Sequence, residues 1–535
     1  MTASPESSVP APDAPDAPAA PPPKDPRYAL RLAALLALLA CQNMAVRMMN
    51  LPLTRVVELR YCREYYLERD PGVVGPGGDV PERLCKLDGI QTRLAWLVGM
   101  LETGHVVCDL LVTLPLGVLA DRGWRRVILC ANLGGLALMY SWLVVVGMCY
   151  FDTIPTYAML FAPLFSLFGG GDCVIQSSIA SVIIEISSTE MHRSSAFAYQ
   201  SSVSYIVALL SPSIAARTMT WNLWAPFWLG IGLLLAAMPL LLVLPNRPLV
   251  KAKLRERGDE AERSSLLDPV PRGGQQSMLS RAVSKFAEGL STIKKLPIRR
   301  TNFSILLGIF SLASLASSNT PVLVQYISKR YGWTFADAGY LLSLKAAVNI
   351  ICLTIIVPTT VRCLLTRSAL DGTAINRAGT KLTLLLSVLG ALCIALSSKM
   401  WMLIISFVIY ASGSALPVFT MSLIKSRAVT DEHIGASTQD YGIVMLARTV
   451  GTLVGTPLMT AIWAAGIGIG GAGLGAPYFA SVVSSPSCRD IAVVTWPLTR
   501  TGFLHRGLDS SNAVEGLILD GSRTARDSSW WGSYC

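Results

Sequence analysis

The sequence GVLADRGWRR occupies residues 117–126 and directly follows a long apolar run. It places one aspartate and three arginines between two hydrophobic segments. A bilayer core about 30 Å thick needs about 20 apolar residues for one helix. Segments of that length lie on both sides of the stretch, so we expect it to form a short charged loop between two membrane helices.

Similar apolar segments recur along most of the chain. Hydrophobic residues make up 52% of the 535 residues and charged residues only 15%, a composition more apolar than a soluble core needs. Because helices satisfy their own backbone hydrogen bonds, they can cross lipid. The sequence therefore predicts an all-α integral membrane protein with 12 transmembrane helices, the twelfth apparently degraded. The predicted spans are 28–50, 94–119, 127–149, 157–183, 195–216, 223–244, 302–327, 337–361, 381–397, 401–424, 440–465 and part of 474–498.

The predicted spans fall into two groups of six, separated by a polar segment. An N-terminal stretch rich in proline and alanine cannot bury enough surface to fold and is expected to be disordered. The expected domains are the tail 1–27, the N-terminal half 28–244 with a long external loop 51–93, the linker 245–301, the C-terminal half 302–498 and an irregular tail 499–535.

Basic residues predict the orientation of the chain. Cytoplasmic loops carry an excess of Lys and Arg, and the 117–126 loop and the linker are strongly basic. We therefore expect the N-terminus and the linker in the cytoplasm and the 51–93 loop outside. Cys62 and Cys85 in that loop face an oxidising compartment and are expected to form a disulfide, with two free thiols as the alternative.

The two groups of six spans, the basic linker and the GVLADRGWRR loop together resemble the major facilitator superfamily of secondary transporters. In that family the loop reads roughly G-x-x-x-D-R-x-G-R-R. Gly123 and Trp124 depart from this pattern, because the second glycine of the family lies one place later. The residues that match are Gly117, Asp121, Arg122, Arg125 and Arg126.

The resemblance implies two six-helix bundles related by pseudo-two-fold symmetry, and it implies a gating role for the loop. Asp121 would meet the positive N-terminal end of a helix from the other half and pair with an arginine of the loop. The alternative is that the arginines only anchor the helix in the cytoplasm. The long cysteine-bearing loop also resembles the branch that includes proton-coupled folate transporters and their fungal relatives.

Polar side chains at membrane depth are the candidates for proton and substrate binding, because such groups usually face a cavity or a partner. Glu102, His105 and Asp109 share one helix face, and a histidine between two carboxylates can exchange a proton near neutral pH. The alternative is an interfacial Glu102 and a packed His105. The other candidates are Asn43, Arg47, Asp172, Gln176, Gln325, Tyr326, Lys345, Asn349 and Arg448.

The sequence alone does not determine which charged residues pair with each other within the membrane. Lys345 and Arg448 each need a carboxylate or an anionic ligand, and Asp109 or Asp172 could pair with Lys345. Arg47 either binds an anionic group of the substrate or extends to the membrane surface. Glu185 is expected to pair with Arg193.

These features predict a secondary active transporter that moves a small organic solute, with an anion favoured, by alternating access. Symport driven by a proton gradient is expected, without a bound cofactor or metal. Enzymatic activity is not expected, since the chain has no nucleotide-binding loop, no metal-spaced His/Cys cluster and no nucleophile beside a base. The expected partners are the lipid bilayer and the solute, and the protein is expected to be a monomer. Nucleic acid is not expected, because the cations lie in short loops.

Two further questions concern location and competence. The sequence ERSSLLD at 262–268 has the form of an acidic dileucine sorting signal. The expected location is therefore either the plasma membrane or the vacuolar membrane. The sequence SSPSCRD from residue 484 interrupts the last span. The alternatives to transport are therefore a transporter-like sensor or scaffold that binds solute without moving it, or a non-functional product with a defective C-terminus.

Overall fold

A computed structural model describes residues 28–149, 154–187, 190–244, 301–360, 363, 372–416, 419–420 and 438–485. These residues form helices joined by short connections, and no strand occurs among them. Nine helices in this part of the chain are long and apolar enough to cross a membrane. The predicted tail at 1–27, residues 245–300 of the predicted 245–301 linker and the segment 486–535 lie outside the described residues.

The N-terminal half has six helical segments, in agreement with the number of spans predicted there. The fourth is divided, with a 3-10 helix from Thr156 to Phe168 ahead of an α-helix. The α-helices are α1 (Tyr28–Arg69), α2 (Asp88–Leu119), α3 (Arg125–Met148), α4 (Asp172–Ile186), α5 (Glu190–Trp221) and α6 (Ala225–Ala237).

The C-terminal half begins at Thr301 and is also helical throughout its described residues. Its first predicted span is divided into two helices at Ser318 and Asn319, and its last helix has only nine residues. The helices are α7 (Thr301–Ser317), α8 (Thr320–Tyr331), α9 (Phe335–Ile351), α10 (Gly372–Leu396), α11 (Met400–Ser412), α12 (Thr438–Ile469) and α13 (Ala476–Ser484).

Helix α1 is much longer than the sequence predicts. It has 42 residues and continues through Pro52, although proline removes one backbone hydrogen bond within a helix. Glu58 and Arg60, which resemble loop residues in the sequence, are only 0% and 4% exposed. Both have hydrogen-bond partners that compensate for this burial. The prediction that the external loop begins at residue 51 is therefore wrong, and the connection to α2 comprises only residues 70–87.

A disulfide joins this connection to α1. Cys62 of α1 is bonded to Cys85, which ends a short 3-10 turn beginning at Glu82, and their Cα atoms are 5.3 Å apart. Both cysteines are fully buried in a small apolar cluster with Val80 and Ile90. We call the end of the helical bundle that carries this bridge the disulfide side.

The fourth span is broken by three consecutive glycines. Gly170 has φ +76°, a left-handed conformation that suits glycine, and α4 starts two residues later. A Cβ at Gly169 would lie 2.1 Å from the backbone nitrogen of Asn132 in α3. Asn132 is fully buried, and its Nδ2 donates to the carbonyl oxygen of Gly171 at 3.1 Å. The glycines therefore produce a kink and also allow the close approach to α3.

Each half has its own buried core. Leu38, Leu133 and Ile183 belong to the N-terminal core. Tyr326, Trp463 and Tyr478 belong to the C-terminal core, where the rings of Tyr326 and Tyr478 are 5.0 Å apart. Tyr478 lies in α13, so the described part of the predicted degraded span is packed into the bundle.

The halves contact each other close to the disulfide side. Helix α2 packs against α12, and α5 packs against α9. A Cβ at Gly99 would lie 2.2 Å from Oγ1 of Thr460, so the first contact depends on glycine. In the second contact, the hydroxyl of Ser213 donates to that of Ser343 at 2.8 Å. Two pairs of helices therefore hold the halves together there.

Candidate solute-binding site

A cavity of about 250 Å³ lies within the C-terminal half. Its wall is formed by α7 to α13, and it contains two cationic side chains, Lys345 from α9 and Arg448 from α12. Among the described residues that line it, none is a carboxylate. Apolar groups such as Phe310 and Leu384 alternate with hydroxyl groups such as Ser314. The cavity therefore combines positive charge with an apolar wall.

Lys345 and Asn349 lie one helical turn apart on α9 and both face this cavity. The Nζ of Lys345 is 5.2 Å from the ring centre of Tyr410 in α11, within the range of a cation–π interaction. The Oδ1 of Asn349 is buried without a hydrogen-bond partner in the described structure. The sequence places these two residues on one face, and the structure brings both into the cavity.

Arg448 reaches the cavity because α12 packs closely against α7. A Cβ at Gly451 would lie 2.2 Å from the carbonyl oxygen of Ser311, so glycine is required for this approach. Gly455, one turn further, would similarly meet the hydroxyl of Ser318 at 2.5 Å. The close packing brings Arg448 to the wall of the cavity, which Ser314 and Ser317 of α7 also line.

Sequence reasoning missed Tyr410 and Ser414, which also line the cavity. Both lie in the predicted span 401–424, which is mainly apolar; Tyr410 belongs to α11 and Ser414 to the turn that follows it. The hydroxyl of Ser414 is buried without a hydrogen-bond partner among the described residues. A polar atom inside an apolar span is the signal that could have identified both side chains.

Asp109 does not pair with Lys345. Its Oδ1 accepts a hydrogen bond from the backbone N–H of Gly171 at 2.9 Å, and its Oδ2 accepts one from Cys173 at 3.1 Å. These N–H groups belong to the start of α4, so Asp109 caps the positive end of that helix. The pairing considered from the sequence is wrong for this aspartate because nearby backbone donors occupy both of its oxygens.

Asp172 and Gln176 of α4 each lie within hydrogen-bond distance of a glutamine from another helix. The Nε2 of Gln42 lies 3.5 Å from Oδ1 of the exposed Asp172, and Gln200 donates to Oε1 of Gln176 at 3.2 Å. Asp172 therefore contacts α1, and it forms no ion pair with Lys345 among the described contacts. Asn43 is buried in the same turn of α1 as Gln42.

Arg47 lies on the face of α1 that points to the C-terminal half. It is one turn before Leu51, whose Cδ2 would lie 2.6 Å from a Cβ at Gly339 of α9. The side chain of Arg47 is exposed. At this position the side chain of Arg47 is expected to point into the space between the two halves and not to extend to the membrane surface.

Gln325 and Tyr326 lie outside the cavity lining. The Oε1 of Gln325 accepts a hydrogen bond from the indole of Trp463 at 3.0 Å, and the hydroxyl of Tyr326 donates to the carbonyl of Ile394 at 2.7 Å. Both side chains are buried in the C-terminal core. Their contacts hold α8 against α10 and α12, so the structure gives them a packing role.

Glu102 and His105 are both partly buried on α2. The Nδ1 of His105 has no hydrogen-bond partner among the described residues. Asp109, the third residue of the predicted row, differs from these two because its carboxylate accepts backbone hydrogen bonds from the start of α4.

The loop at 117–126 contains an unusual turn. Residues Ala120–Trp124 form a π-helical segment in which Gly123 has φ +102°, a conformation that strongly favours glycine. This explains why the glycine precedes Trp124 in this chain. The surroundings of Gly117 and the side chains of Asp121 and Arg122 are not among the described parts of the structure, so their expected gating contacts stay predictions.

The two final arginines of the loop bind within the N-terminal half. Arg125 is 2% exposed, and its Nη1 lies 2.6 Å from Oε2 of Glu185 at the end of α4. Arg126 donates to the carbonyl oxygen of Leu244 at 2.7 Å. Glu185 therefore pairs with Arg125, whereas the side chain of Arg193, the partner expected from the sequence, lies outside the described residues.

A network of charges connects the halves on the disulfide side. The buried Glu58 accepts hydrogen bonds from Lys86 at 2.7 Å and Gln91 at 2.6 Å. Glu82 accepts the backbone N–H of Phe335, the first residue of α9, at 2.9 Å. Lys329 of α8 forms an ion pair of 2.6 Å with Asp88. The connection that carries the disulfide thus contacts the C-terminal half through Glu82, and the first residue of α2 contacts it through Asp88.

Comparison with known proteins identifies the family of this arrangement. The model of the Major Facilitator Superfamily matches residues 91–456, more than half of the chain. The chain belongs to the Major Facilitator Superfamily. As a member, it is a multi-pass membrane protein of the transporter type, with the layout of two six-helix bundles that is typical of the superfamily.

Curated members of the superfamily match over most of their length. The chain is 27% identical to the MFS efflux pump atnC of Emericella nidulans over 84% of each chain. It is 25% identical to the efflux pump ustT of Aspergillus flavus, over 78% of this chain and 79% of that one. Among solved superfamily structures, a D-xylose-proton symporter has a TM-score of 0.54 at 11% identity, covering 88% of this chain and 96% of that chain. The last likeness concerns the fold alone.

Proposed function

We propose that the protein is a proton-coupled secondary transporter that moves a small organic anion across the membrane by alternating access. Membership of the superfamily supports transport. The curated relatives named efflux pumps support outward movement. The cavity that contains Lys345 and Arg448, with no carboxylate among its described lining residues, carries the choice of an anion.

The choice of an anion follows from the electrostatics of the cavity. Cations at membrane depth are poorly hydrated, and two in one cavity repel each other. An entering anion attracts both and offsets their loss of water, whereas a cationic solute would increase the repulsion. Phe310 and Leu384 provide apolar contact for the remainder of an organic molecule.

Contacts between the halves support alternating access. We take the disulfide side to be external, since disulfides form in oxidising compartments and the arginine-rich 117–126 loop lies at the opposite end. The ion pair between Asp88 and Lys329 then closes the external side. Opening this side requires that contact to break while each bundle moves as a body.

Glu102 and His105 are the proposed carriers of the coupling proton. They are three residues apart on α2, so their side chains are neighbours on one face. Histidine is the side chain most suited to proton exchange near neutral pH, and Nδ1 of His105 is buried without a hydrogen-bond partner among the described residues. Asp109 is left out of the proposed pair, because its oxygens accept backbone hydrogen bonds at the start of α4.

The proposal includes a location and an assembly. The protein acts as a monomer in the plasma or vacuolar membrane, with the N-terminus and the 245–301 linker in the cytoplasm. The distribution of basic residues supports this orientation. Its likeness to the folate-transporter branch stays a prediction from the sequence.

Transport by the purified full-length protein in liposomes tests this proposal. A panel of radiolabelled aromatic and aliphatic carboxylates is supplied under pH gradients of either sign, together with matched alcohols and amines. We expect at least one carboxylate to move faster than in protein-free liposomes, and the alcohols and amines to stay at the background rate. The sign of the gradient that accelerates movement distinguishes symport from antiport.

Matched variants separate binding of the anion from coupling to the proton. Lys345→Gln should lower carboxylate transport at least about tenfold, given the loss of a charged contact. Arg217→Gln is the control, because Arg217 is an exposed cation 4.5 Å from the Trp221 ring and outside the cavity. Transport that ignores the pH gradient would contradict the proton claim. Binding of carboxylates without movement of any would favour a sensor.

A further inference from the structure

The cavity in the C-terminal half has unsatisfied hydrogen-bonding atoms in addition to its cations. The Oδ1 of Asn349 and the hydroxyl of Ser414 are both buried without partners among the described residues, and both residues line the cavity. Buried polar atoms are nearly always hydrogen-bonded in native proteins. These two atoms are therefore available for hydrogen bonds with a ligand in the cavity.

The spacing of Lys345 and Asn349 restricts the shape of that ligand. Residues four apart on a helix have Cβ atoms about 5–6 Å apart and point to the same side. A ligand that contacts both must therefore carry its negative group and its hydrogen-bond donor close together. An amide oxygen accepts hydrogen bonds and cannot donate them, so the second group must be an O–H or N–H.

Tyr410 restricts the position of the anion. The ammonium group of Lys345 lies against the ring of Tyr410, at 5.2 Å from its centre. That face of the cation is occupied by the ring, so a carboxylate approaches from the side that faces the cavity. The apolar residues Ile309, Phe310 and Leu384 line the same cavity and can contact the body of the ligand.

The volume of the cavity limits the size of the ligand. Its 250 Å³ lies below the roughly 300–1,000 Å³ that is typical for drug-sized ligands. A small acid, or the acidic end of a larger one, fits this space.

We propose that this cavity binds a hydroxycarboxylate, that is, an organic acid with a hydroxyl group beside its carboxylate and a compact apolar body. Lys345 binds the carboxylate, and Asn349 accepts the hydrogen bond of the adjacent hydroxyl. Ser414 supplies a further hydroxyl contact, and Arg448 adds positive charge to the same wall. This inference rests on the proposed transport of organic anions and specifies the class of acid that the protein selects.

Three related compounds test the proposal by binding to the purified full-length protein in detergent. Mandelate has the carboxylate and the neighbouring hydroxyl, phenylacetate lacks the hydroxyl, and mandelamide lacks the charge. Isothermal titration calorimetry should show mandelate binding about tenfold more tightly than phenylacetate, as one well-placed hydrogen bond allows. Mandelamide should bind at least tenfold more weakly than mandelate, as loss of a charged hydrogen bond implies. Equal affinity for mandelate and phenylacetate would overturn the proposal.

Variants of Lys345 and Asn349 test whether these two α9 residues recognise the carboxylate and the hydroxyl of the ligand. Asn349→Leu has a similar volume without an acceptor, and it should bring mandelate to the affinity of phenylacetate while leaving phenylacetate unchanged. Lys345→Gln should weaken both acids, and Lys345→Arg should retain binding. Arg217→Gln, outside the cavity, should change neither affinity. A preference for mandelate that survives Asn349→Leu would show that the hydroxyl is recognised elsewhere.

The outcome for the acid class is separate from the outcome for transport. If other carboxylates are transported but mandelate is not preferred, the hydroxycarboxylate proposal fails and anion transport stands. If mandelate binds with the expected preference but no acid moves in liposomes, the site is supported and the transport proposal fails. An unchanged thermal unfolding midpoint establishes that each variant is folded.

Discussion

The Nζ of Lys329 lies 2.6 Å from Oδ1 of Asp88, which joins the end of α8 to the first residue of α2. The two residues come from different halves of the molecule. The carboxylate is 70% exposed and the ammonium group 14% exposed, so water weakens the pair. Such pairs contribute about 0–1 kcal/mol. This pair alone therefore favours closure of the disulfide side slightly and is too weak to keep that side closed.

Reversing one charge of this pair should open the disulfide side more often. We expect Lys329→Glu to increase the labelling of an introduced Ser343→Cys by an impermeant thiol reagent, added on the disulfide side, about two- to fivefold, as expected for up to about 1 kcal/mol. The double variant Asp88→Lys with Lys329→Glu should return the rate towards that of the parent.

Arg93→Glu is the control for this experiment. Arg93 and Glu64 form an exposed pair of 3.7 Å within the N-terminal half, so reversal there leaves the contact between the halves intact. An equal rise in labelling for Arg93→Glu would attribute the effect to general surface charge.

A side chain at Gly99 should separate the halves at the contact of α2 with α12. A Cβ there would lie 2.2 Å from Oγ1 of Thr460 and 2.7 Å from its Cβ, so Gly99→Ala forces the helices apart. We expect faster labelling from the disulfide side, and we expect Thr460→Ala to reverse part of the effect. Gly89→Ala in the same helix meets no atom within 4 Å and should behave as the parent.

Removal of the Asp109 cap should destabilise the N-terminal half. Asp109→Ala leaves the N–H groups of Gly171 and Cys173 without their acceptors, and loss of a helix cap typically costs about 0.5–2 kcal/mol. Chemical denaturation in detergent measures this free energy of unfolding. Gly171→Ala should also destabilise, since its Cβ would lie 2.8 Å from Cγ of Asp109, whereas Gly232→Ala has open space. An Asp109→Ala protein of full stability would contradict the capping role.

Loss of the disulfide should lower stability on the disulfide side. Cys62 and Cys85 are 23 residues apart in sequence, and a bridge over such a loop contributes about 3 kcal/mol by constraining the unfolded chain. The variant Cys62→Ser with Cys85→Ser should therefore unfold at a lower temperature than the parent. A reductant should lower the midpoint of the parent but not that of the variant, and equal sensitivity of the two would point to another thiol.

The sequence predicted the cavity residues that follow helical spacing and missed those that depend on packing between helices. Lys345 and Asn349 are four residues apart on an apolar helix, which is a local property. Tyr410 and Ser414 join them only because α11 and the turn after it pack beside α9, and a single sequence does not show that proximity. The role of Asp109 likewise depends on the position of the first turn of α4.

The end of α1 was wrongly predicted for a similar reason. Pro52, Glu58 and Arg60 are residues that usually mark a loop near a membrane surface. Here Glu58 is satisfied by Lys86 and Gln91, and Arg60 donates to the carbonyl of Ile154 at 2.6 Å. All three partners lie far along the chain, so the continuation of the helix is a result of tertiary contacts.

The disulfide also has a consequence for the order in which the protein is made. Cys62 and Cys85 both lie ahead of α2 in the chain, so the bridge can close while the ribosome is still synthesising the remaining helices. Domains generally fold in the order of synthesis. Glu82 and Asp88, which contact Phe335 and Lys329 in the folded protein, are then already in position before those two residues are synthesised. The bridge thus prepares a template on which the second half of the protein assembles.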